Sequence, residues 1–375
     1  MNAETTVFEK ITKEAVEETV KKAKSKFAKG GVVILLPEGE KHRIKLFQKI
    51  FSEQNLGFVG FIFPQIIIKN KFFSTGFVLI NFSEMPFYHI EENLSTDEIE
   101  YTFQMKETHN QLKEKIIAKK DYNLFIVFDA LFSKIGSMTS ELFILMGDRT
   151  TYSGVCCGSE TFRPIDCIFT NERAYKNAAV FFLLEKKKES ALVHDYQVPD
   201  KIITATSAAG NKIISIDWRP AFDVYSQLAE SQYKVKINSK NFYEHAVHFP
   251  FGIVKGDNTT IVRIPVALLE DRAIACVGEI RENTFLTLLK APDIQKLGAA
   301  KQISKTIGPN DNILLFYCAG RRMHFKEKAV LELEKITSLS KNNNITGALS
   351  LGEIGSFEKN SFPEFHNGAL LSLNL

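Results

Sequence analysis

Runs of apolar residues alternate with mixed stretches along this chain, and their order repeats three times. The first unit opens on Val32-Val33-Ile34-Leu35-Leu36 and continues through a helical stretch around Ile44 to Phe51. It then reaches a glycine-bearing apolar run, Gly57-Phe58-Val59-Gly60-Phe61, and closes on Thr75 to Ile80. The second unit keeps this order: Leu124 to Phe128, a helical stretch over 136–147, the run Tyr152 to Gly158, and a closing strand from Ala178 to Leu184. The third runs from Ile313 to Tyr317, through a helix over Phe325 to Leu339, to Ile345–Leu349 and a last strand, Gly368 to Leu373. Ala329, Val330, Leu333 and Ile336 share one face of that helix, the spacing expected of a helix packed on a core. Strand runs this continuously apolar suit strands buried on both faces.

Ahead of the first unit, residues 12–29 read as an amphipathic helix, with Val16, Val20, Ala23 and Phe27 on one face and Gly30–Gly31 as its stop. Between the second and third units, Ile213–Ile216, Thr260–Ile264 and Phe285–Leu289 each read as a strand, and the small polar stretch Ser207–Asn211 reads as a boundary. The expected fold is therefore α/β to α+β, with repeated strand–helix–strand–strand units forming mixed sheets flanked by helices. The expected organisation is an N-terminal helix over 1–30, one domain over 31–206 and a second over 207–375.

Composition narrows the function classes. Thirty-one phenylalanines in 375 residues imply a large aromatic core. The 47 basic and 44 acidic residues leave a net charge of only +3, which gives no electrostatic footprint for nucleic acid or an anionic membrane. The longest apolar run, Gly57 to Ile68, is interrupted by Pro64 and Gln65 and falls short of the roughly 20 residues that span a bilayer. No secretion signal is visible. Five cysteines without C-x-x-C spacing argue against a disulfide framework and structural zinc, so a cytoplasmic location is expected.

The C-terminal half carries six landmarks in order: "NKIISIDWRPAFDVYSQL", "HFPFGI", "IVRIP", "LLFYCAGRRMHF", "ITGALSLGEIGSF" and "FHNGALLSL". In these it resembles the C-terminal FIST domain, with its Cys-x-Gly-Arg turn and Gly-Glu motif. "GFVGFIFPQII" and "SGVCCGSE" are similar to landmarks of the N-terminal FIST domain. Pro64–Gln65 replaces a Gly-Glu-Ile ending, Trp218 stands for a common Gly, and Gly368–Ala369 stands for a Gln and a Thr. The resemblance implies a bacterial intracellular sensory module that binds a small molecule such as an amino acid or related carboxylate. It implies a signalling partner such as a histidine kinase or a cyclic-di-nucleotide enzyme, because the chain shows no output motif of its own. Some members resemble haem-dependent nitric-oxide sensors, so haem is the cofactor alternative, although the sequence requires none.

The candidate chemistry clusters near the C-terminus. Cys318-Ala319-Gly320-Arg321-Arg322 follows a strand and precedes a helix, which suits a carboxylate or phosphate. Leu351-Gly352-Glu353-Ile354-Gly355 places one carboxylate between two turn glycines. Arg321 could take a ligand carboxylate and Glu353 its ammonium; an Arg321–Glu353 salt bridge accounts for the same residues without a ligand. His366 and Asn367 could add polar contacts. For haem, the candidate ligands are His194, His248, His324 and His366. A cysteine-dependent enzyme is a further alternative: Cys318 lies beside two arginines and Cys157 lies in a glycine-rich turn. No G-x-S-x-G elbow, P-loop or H-E-x-x-H is present, and no catalytic activity is expected.

Overall fold

Each apolar run becomes a strand, and the three repeats fold alike. A computed structural model describes residues 2–27, 30–117, 119–256, 259–357 and 361–375. The first repeat comprises β1 (Ala3–Phe8), α1 (Lys13–Lys26), β2 (Gly31–Pro37), α2 (Ile44–Glu53), β3 (Phe58–Phe63), β4 (Ile66–Ile68), β5 (Lys71–Phe73) and β6 (Phe77–Phe82). The second comprises β7 (Phe87–Glu91), α3 (Glu98–Lys113), β8 (Tyr122–Asp129), α4 (Ile135–Met146), β9 (Thr151–Cys157), β10 (Ile168–Thr170), β11 (Ala174–Tyr175) and β12 (Ala179–Glu185).

The third repeat starts at β13 (Ala191–Val193) and is interrupted at once by an inserted module. That module holds β14 (Ile203–Ala209), β15 (Lys212–Ile216), β16 (Arg219–Pro220), α5 (Ala221–Tyr233), α6 (Phe242–Ala246), β17 (Phe251–Val254), β18 (Thr260–Arg263), β19 (Pro265–Leu268), β20 (Ile274–Cys276) and β21 (Thr284–Leu288). The repeat resumes with α7 (Gly298–Ile303), β22 (Ile313–Cys318), α8 (Ala319–Phe325), α9 (Val330–Ser340), β23 (Ile345–Ser350), β24 (Glu353–Gly355), β25 (Glu364–His366) and β26 (Leu370–Asn374).

Among the described residues the body forms three sheets of matching order: β1-β6-β2-β3-β10-β11, β7-β12-β8-β9-β24-β25 and β13-β26-β22-β23-β4-β5. In each, the opening strand runs parallel to the glycine-bearing strand across its helix, as a strand–helix–strand crossover requires. The closing strand returns antiparallel on the other side. The outer hairpin of every sheet comes from a different repeat. The first repeat lends β4–β5 to the third, the second lends β10–β11 to the first, and the third lends β24–β25 to the second. The repeats thus hold one another in a closed ring.

The glycines of the second strands have a steric cause. A Cβ on Gly154 would lie 2.4 Å from the Ile126 carbonyl oxygen, and one on Gly347 would lie 1.8 Å from that of Leu315. A Cβ on Gly60 would lie 2.3 Å from the Phe169 ring. Where the sheets meet, Phe316 of the third repeat packs against Phe63 of the first and Phe125 of the second, with ring centroids 5.8 Å away in both cases. Much of the phenylalanine content is this shared core.

The module builds a separate sheet, β18-β17-β21-β14-β15-β20-β19, with β16 added on β15 and its own core around Tyr225 and Phe251. The boundary expected at 206/207 falls within β14, and residues after β21 return to the body. Three further differences are local. The expected helix over 12–29 ends at Lys26, and residues 28 and 29 lie outside the described residues. A strand, β1, precedes this helix and adds to the edge of β6. The expected helix over 325–339 divides into α8 and α9 around Lys326, whose φ of +53° breaks the α-helical path. Among the described residues no helix is long and apolar enough to cross a membrane.

Candidate functional site

Arg321 was expected to offer its guanidinium to a ligand, and its surroundings correct this. The side chain is fully buried. Its Nε and Nη2 donate to the two oxygens of Glu332 at 2.7 Å each, Nη2 also reaches Asp195 Oδ1 at 2.7 Å, and Nη1 reaches the Gly368 carbonyl at 3.3 Å. The Tyr317 hydroxyl donates to the same Glu332 at 2.5 Å. Two protein carboxylates therefore occupy the fork that a ligand would need. Arg322 meets the exposed Glu327 at 3.3 Å and lies over the Phe72 ring.

Glu353 does not pair with Arg321 either. It accepts from Ser350 Oγ at 2.5 Å and from the Ala369 amide at 3.3 Å, and burial pushes its carboxyl up to about 8. Gly352 is structural: its φ is +156°, and a Cβ would strike the Phe365 ring at 2.3 Å. Asn367 accepts from the Ile264 amide at 3.1 Å and so fastens the end of β18 to the body. Cys318 and Asn367 do share the wall of a small cavity of about 120 Å³ with Ile264, Val277 and Leu351.

The thiol of Cys318 accepts from the Gly368 amide at 3.0 Å. All five cysteines are buried. Burial pushes the thiols of Cys156, Cys276 and Cys318 up, that of Cys276 to about 12, and Cys157 is raised as well. The arginines and the start of α8 were expected to lower the Cys318 thiol; desolvation outweighs them.

A larger cavity, about 500 Å³, lies between the inserted module and the second sheet of the body. Three pieces of chain wall it: α4 through Ser137 and Ser140, the module through Lys255, Arg263, Glu279 and Arg281, and the β24–β25 arm through Gly355, Glu364 and His366. Arg263 is the unusual member. It sits in the apolar strand β18, only 4% exposed. Its Nε donates to the Glu279 carbonyl at 3.0 Å, and Nη1 donates to the carbonyls of Val262 and Phe365 at 3.1 and 2.8 Å. No described carboxylate forms an ion pair with it, and Nη2 has no described partner. Burial pulls its pKa down to about 10, although the nearby carboxylates Glu364 and Glu279 oppose the shift and the Phe365 ring lies 5.5 Å from the guanidinium.

His366 stands beside it, fully buried, and no hydrogen bond reaches either ring nitrogen. Burial holds its pKa well below the ordinary value, so the imidazole is neutral; the Gly355 peptide on the adjoining strand opposes this only in part. The acidic groups of the wall are already engaged. Glu279 accepts from the amide and hydroxyl of Ser137 at 2.9 and 2.7 Å and pairs with Lys134 at 3.2 Å. Glu364 pairs with Lys255 at 2.6 Å.

The histidines expected as haem ligands divide into two groups. His324 Nε2 donates to the Pro292 carbonyl at 2.8 Å, which leaves its Nδ1 to accept from His248 Nδ1 at 2.6 Å. That pair is engaged with itself. His194 donates from Nε2 to the Thr260 carbonyl at 2.8 Å and keeps a buried, unpartnered Nδ1. The Phe357 ring lies 5.1 Å from His194 and 4.7 Å from His366, between the large cavity and a second one of about 440 Å³. Among the described residues no group of three or more His, Cys, Asp or Glu side chains could hold a metal ion.

A buried guanidinium with no ion-pair partner among the described residues and an imidazole without a hydrogen bond, both on the wall of a cavity between two parts of an α/β chain, mark this cavity as the candidate ligand site. Residues 46–219 match the FIST N domain and residues 221–356 the FIST C domain, so the chain belongs to the FIST family, whose domains are small-ligand sensory domains. No curated protein matches the chain.

Of the residues expected to form the site, only His366 reaches the large cavity. Arg263 was missed, although it stood in plain view as the one charged residue of Thr260-Ile261-Val262-Arg263-Ile264. A charge inside a strand destined for burial needs a partner, and the sequence nearby offers none.

Proposed function

We propose that this FIST protein binds a small carboxylate-bearing ligand in the cavity between the module and the body, and signals through a separate partner protein. The observation that carries the reading is Arg263, a buried guanidinium with no described carboxylate partner. A ligand carboxylate would supply the missing anion, and a carboxylate–guanidinium pair there is desolvated and directional. The ligand would touch β18 on the module and β25 and α4 on the body. It would favour whichever arrangement of the two parts closes around it. A partner that reads that arrangement, such as a histidine kinase or a cyclic-di-nucleotide enzyme, would raise or lower ligand affinity by the same factor. No catalytic step is assigned, because burial keeps the thiols protonated. A cytoplasmic location suits five unpaired cysteines.

The test is a thermal-shift screen of the purified chain against amino acids, carboxylates, nucleotides and haemin. A ligand at 100 times its dissociation constant adds about 2.7 kcal/mol. The carboxylate-dependent shift should vanish in Arg263→Gln. A shift that persists in this variant while the fold is intact rejects the site. Haem is the second reading, favoured by His366, whose two buried ring nitrogens have no hydrogen-bond partner. A Soret band lost in His366→Ala supports it, and no Soret band after haem supply rejects it.

A further inference from the structure

The charges around the large cavity say more about its occupant than that it is an anion. Five charged side chains line the wall: Lys255, Arg263, Arg281, Glu279 and Glu364. Glu279 is matched by Lys134 at 3.2 Å and Glu364 by Lys255 at 2.6 Å. Two guanidinium groups are left over, and neither forms an ion pair with a described residue. One is Arg263, deep in the wall. The other is Arg281, exposed at the rim. The two are adjacent in the fold, since Arg263 Nε donates to the carbonyl of Glu279, two residues before Arg281. His366 adds a donor at depth: a neutral imidazole carries one N–H, and neither nitrogen here has a partner.

A zwitterionic amino acid fits this wall poorly. Its ammonium would need an acceptor, and both carboxylates already serve lysines, with Glu279 also holding Ser137. A monocarboxylate held by Arg263 would leave Arg281 at the rim paired only with water. Resting on the cavity assignment made above, we infer that the ligand is a small dianion, a dicarboxylate whose inner carboxylate is held by Arg263 and His366 and whose outer carboxylate is held by Arg281. The inner pair is shielded from water and supplies most of the affinity. The rim pair selects for the second charge.

Calorimetric titration of the full chain tests this with succinate and glutarate as dianions, butyrate as a monoanion of similar length, and alanine and glutamine as zwitterions. The expected result is binding of a dicarboxylate with butyrate weaker by about two- to fivefold, the worth of an exposed charge pair. Arg281→Gln should bring dicarboxylate affinity down to the butyrate level and leave butyrate unchanged. Arg263→Gln should abolish both. Arg281 is exposed, so its variant keeps the test alive if Arg263→Gln does not fold. Unchanged dicarboxylate affinity in Arg281→Gln overturns the inference. A zwitterion that outbinds the dicarboxylates and depends on Arg263 overturns it too, while the cavity assignment stands. No binding by any of these probes overturns the dianion, and if the wider screen also finds no Arg263-dependent ligand, the cavity assignment falls with it.

Discussion

Replacing Glu353 by glutamine should flatten the dependence of stability on pH. The carboxyl is fully buried, and its pKa is raised from 4.5 to about 8, chiefly by desolvation. A carboxyl raised in the folded state holds a proton that the unfolded chain releases above pH 4.5. Stability therefore falls as pH rises from about 4.5 to about 8. At about 1.4 kcal/mol per unit, the loss from this one group reaches about 3 kcal/mol at pH 7 and about 5 kcal/mol above pH 8. Glutamine mimics the protonated acid: its carbonyl can accept from the Ala369 amide and its amide can donate to Ser350 Oγ, two of the groups that meet the carboxyl. The assay is urea denaturation of the two proteins in parallel across pH 5 to 8.5. Groups common to both cancel in the difference, which should grow in favour of the variant by about 1.4 kcal/mol per unit between pH 5 and 8. A difference that stays constant over that range refutes a neutral Glu353. A variant uniformly less stable would mean instead that the carboxylate is ionised and held by its donors.

Three other outcomes are expected. Arg321→Met should cost about 3–5 kcal/mol in urea denaturation, because Glu332 and Asp195 lose their shared cation, and adding Glu332→Leu should restore part of the loss. Gly347→Ala should fail to give soluble protein or melt many degrees lower, since its Cβ would sit 1.8 Å from a carbonyl oxygen, whereas Gly57→Ala, with nothing within 4 Å, should change stability by no more than about 0.5 kcal/mol. Trp218 is the single tryptophan, 85% exposed with φ of +63°, so native fluorescence should be red-shifted and readily quenched by acrylamide, and Trp218→Gly should add about 1 kcal/mol by removing the left-handed strain.

What could be read in advance follows how local the deciding physics is. The three repeats were legible because an apolar strand, an amphipathic helix and a glycine-bearing strand each leave a signature within a dozen residues. The lent hairpins were not, because Ile66–Ile68 is equally apolar whether it pairs with its own repeat or with Thr346–Ala348. Arg321 was singled out, but its partners are Glu332 and Asp195 in place of a ligand or Glu353. Glu332 lies on α9 next to the apolar positions Leu333 and Ile336, and only the packing of α9 on β22 turns it inward to the guanidinium. The cavity was invisible for a similar reason: Arg263 and His366 are distant in sequence, and the β24–β25 arm carries one to the other.

The ring of lent hairpins also dictates the order in which the chain can be completed. β4 can pair early with β5, but its other edge finds its partner only when β23, late in the chain, has been made. The first sheet waits for β10 from the second repeat, and the second waits for β24 from the third. No repeat can be finished on its own, so the segments synthesised first are the ones left longest with open strand edges. Such long-range pairing makes folding slow and exposes apolar edges to other chains. Removing the last strands should consequently unfold the first repeat as well as the third, and the body should melt in a single transition.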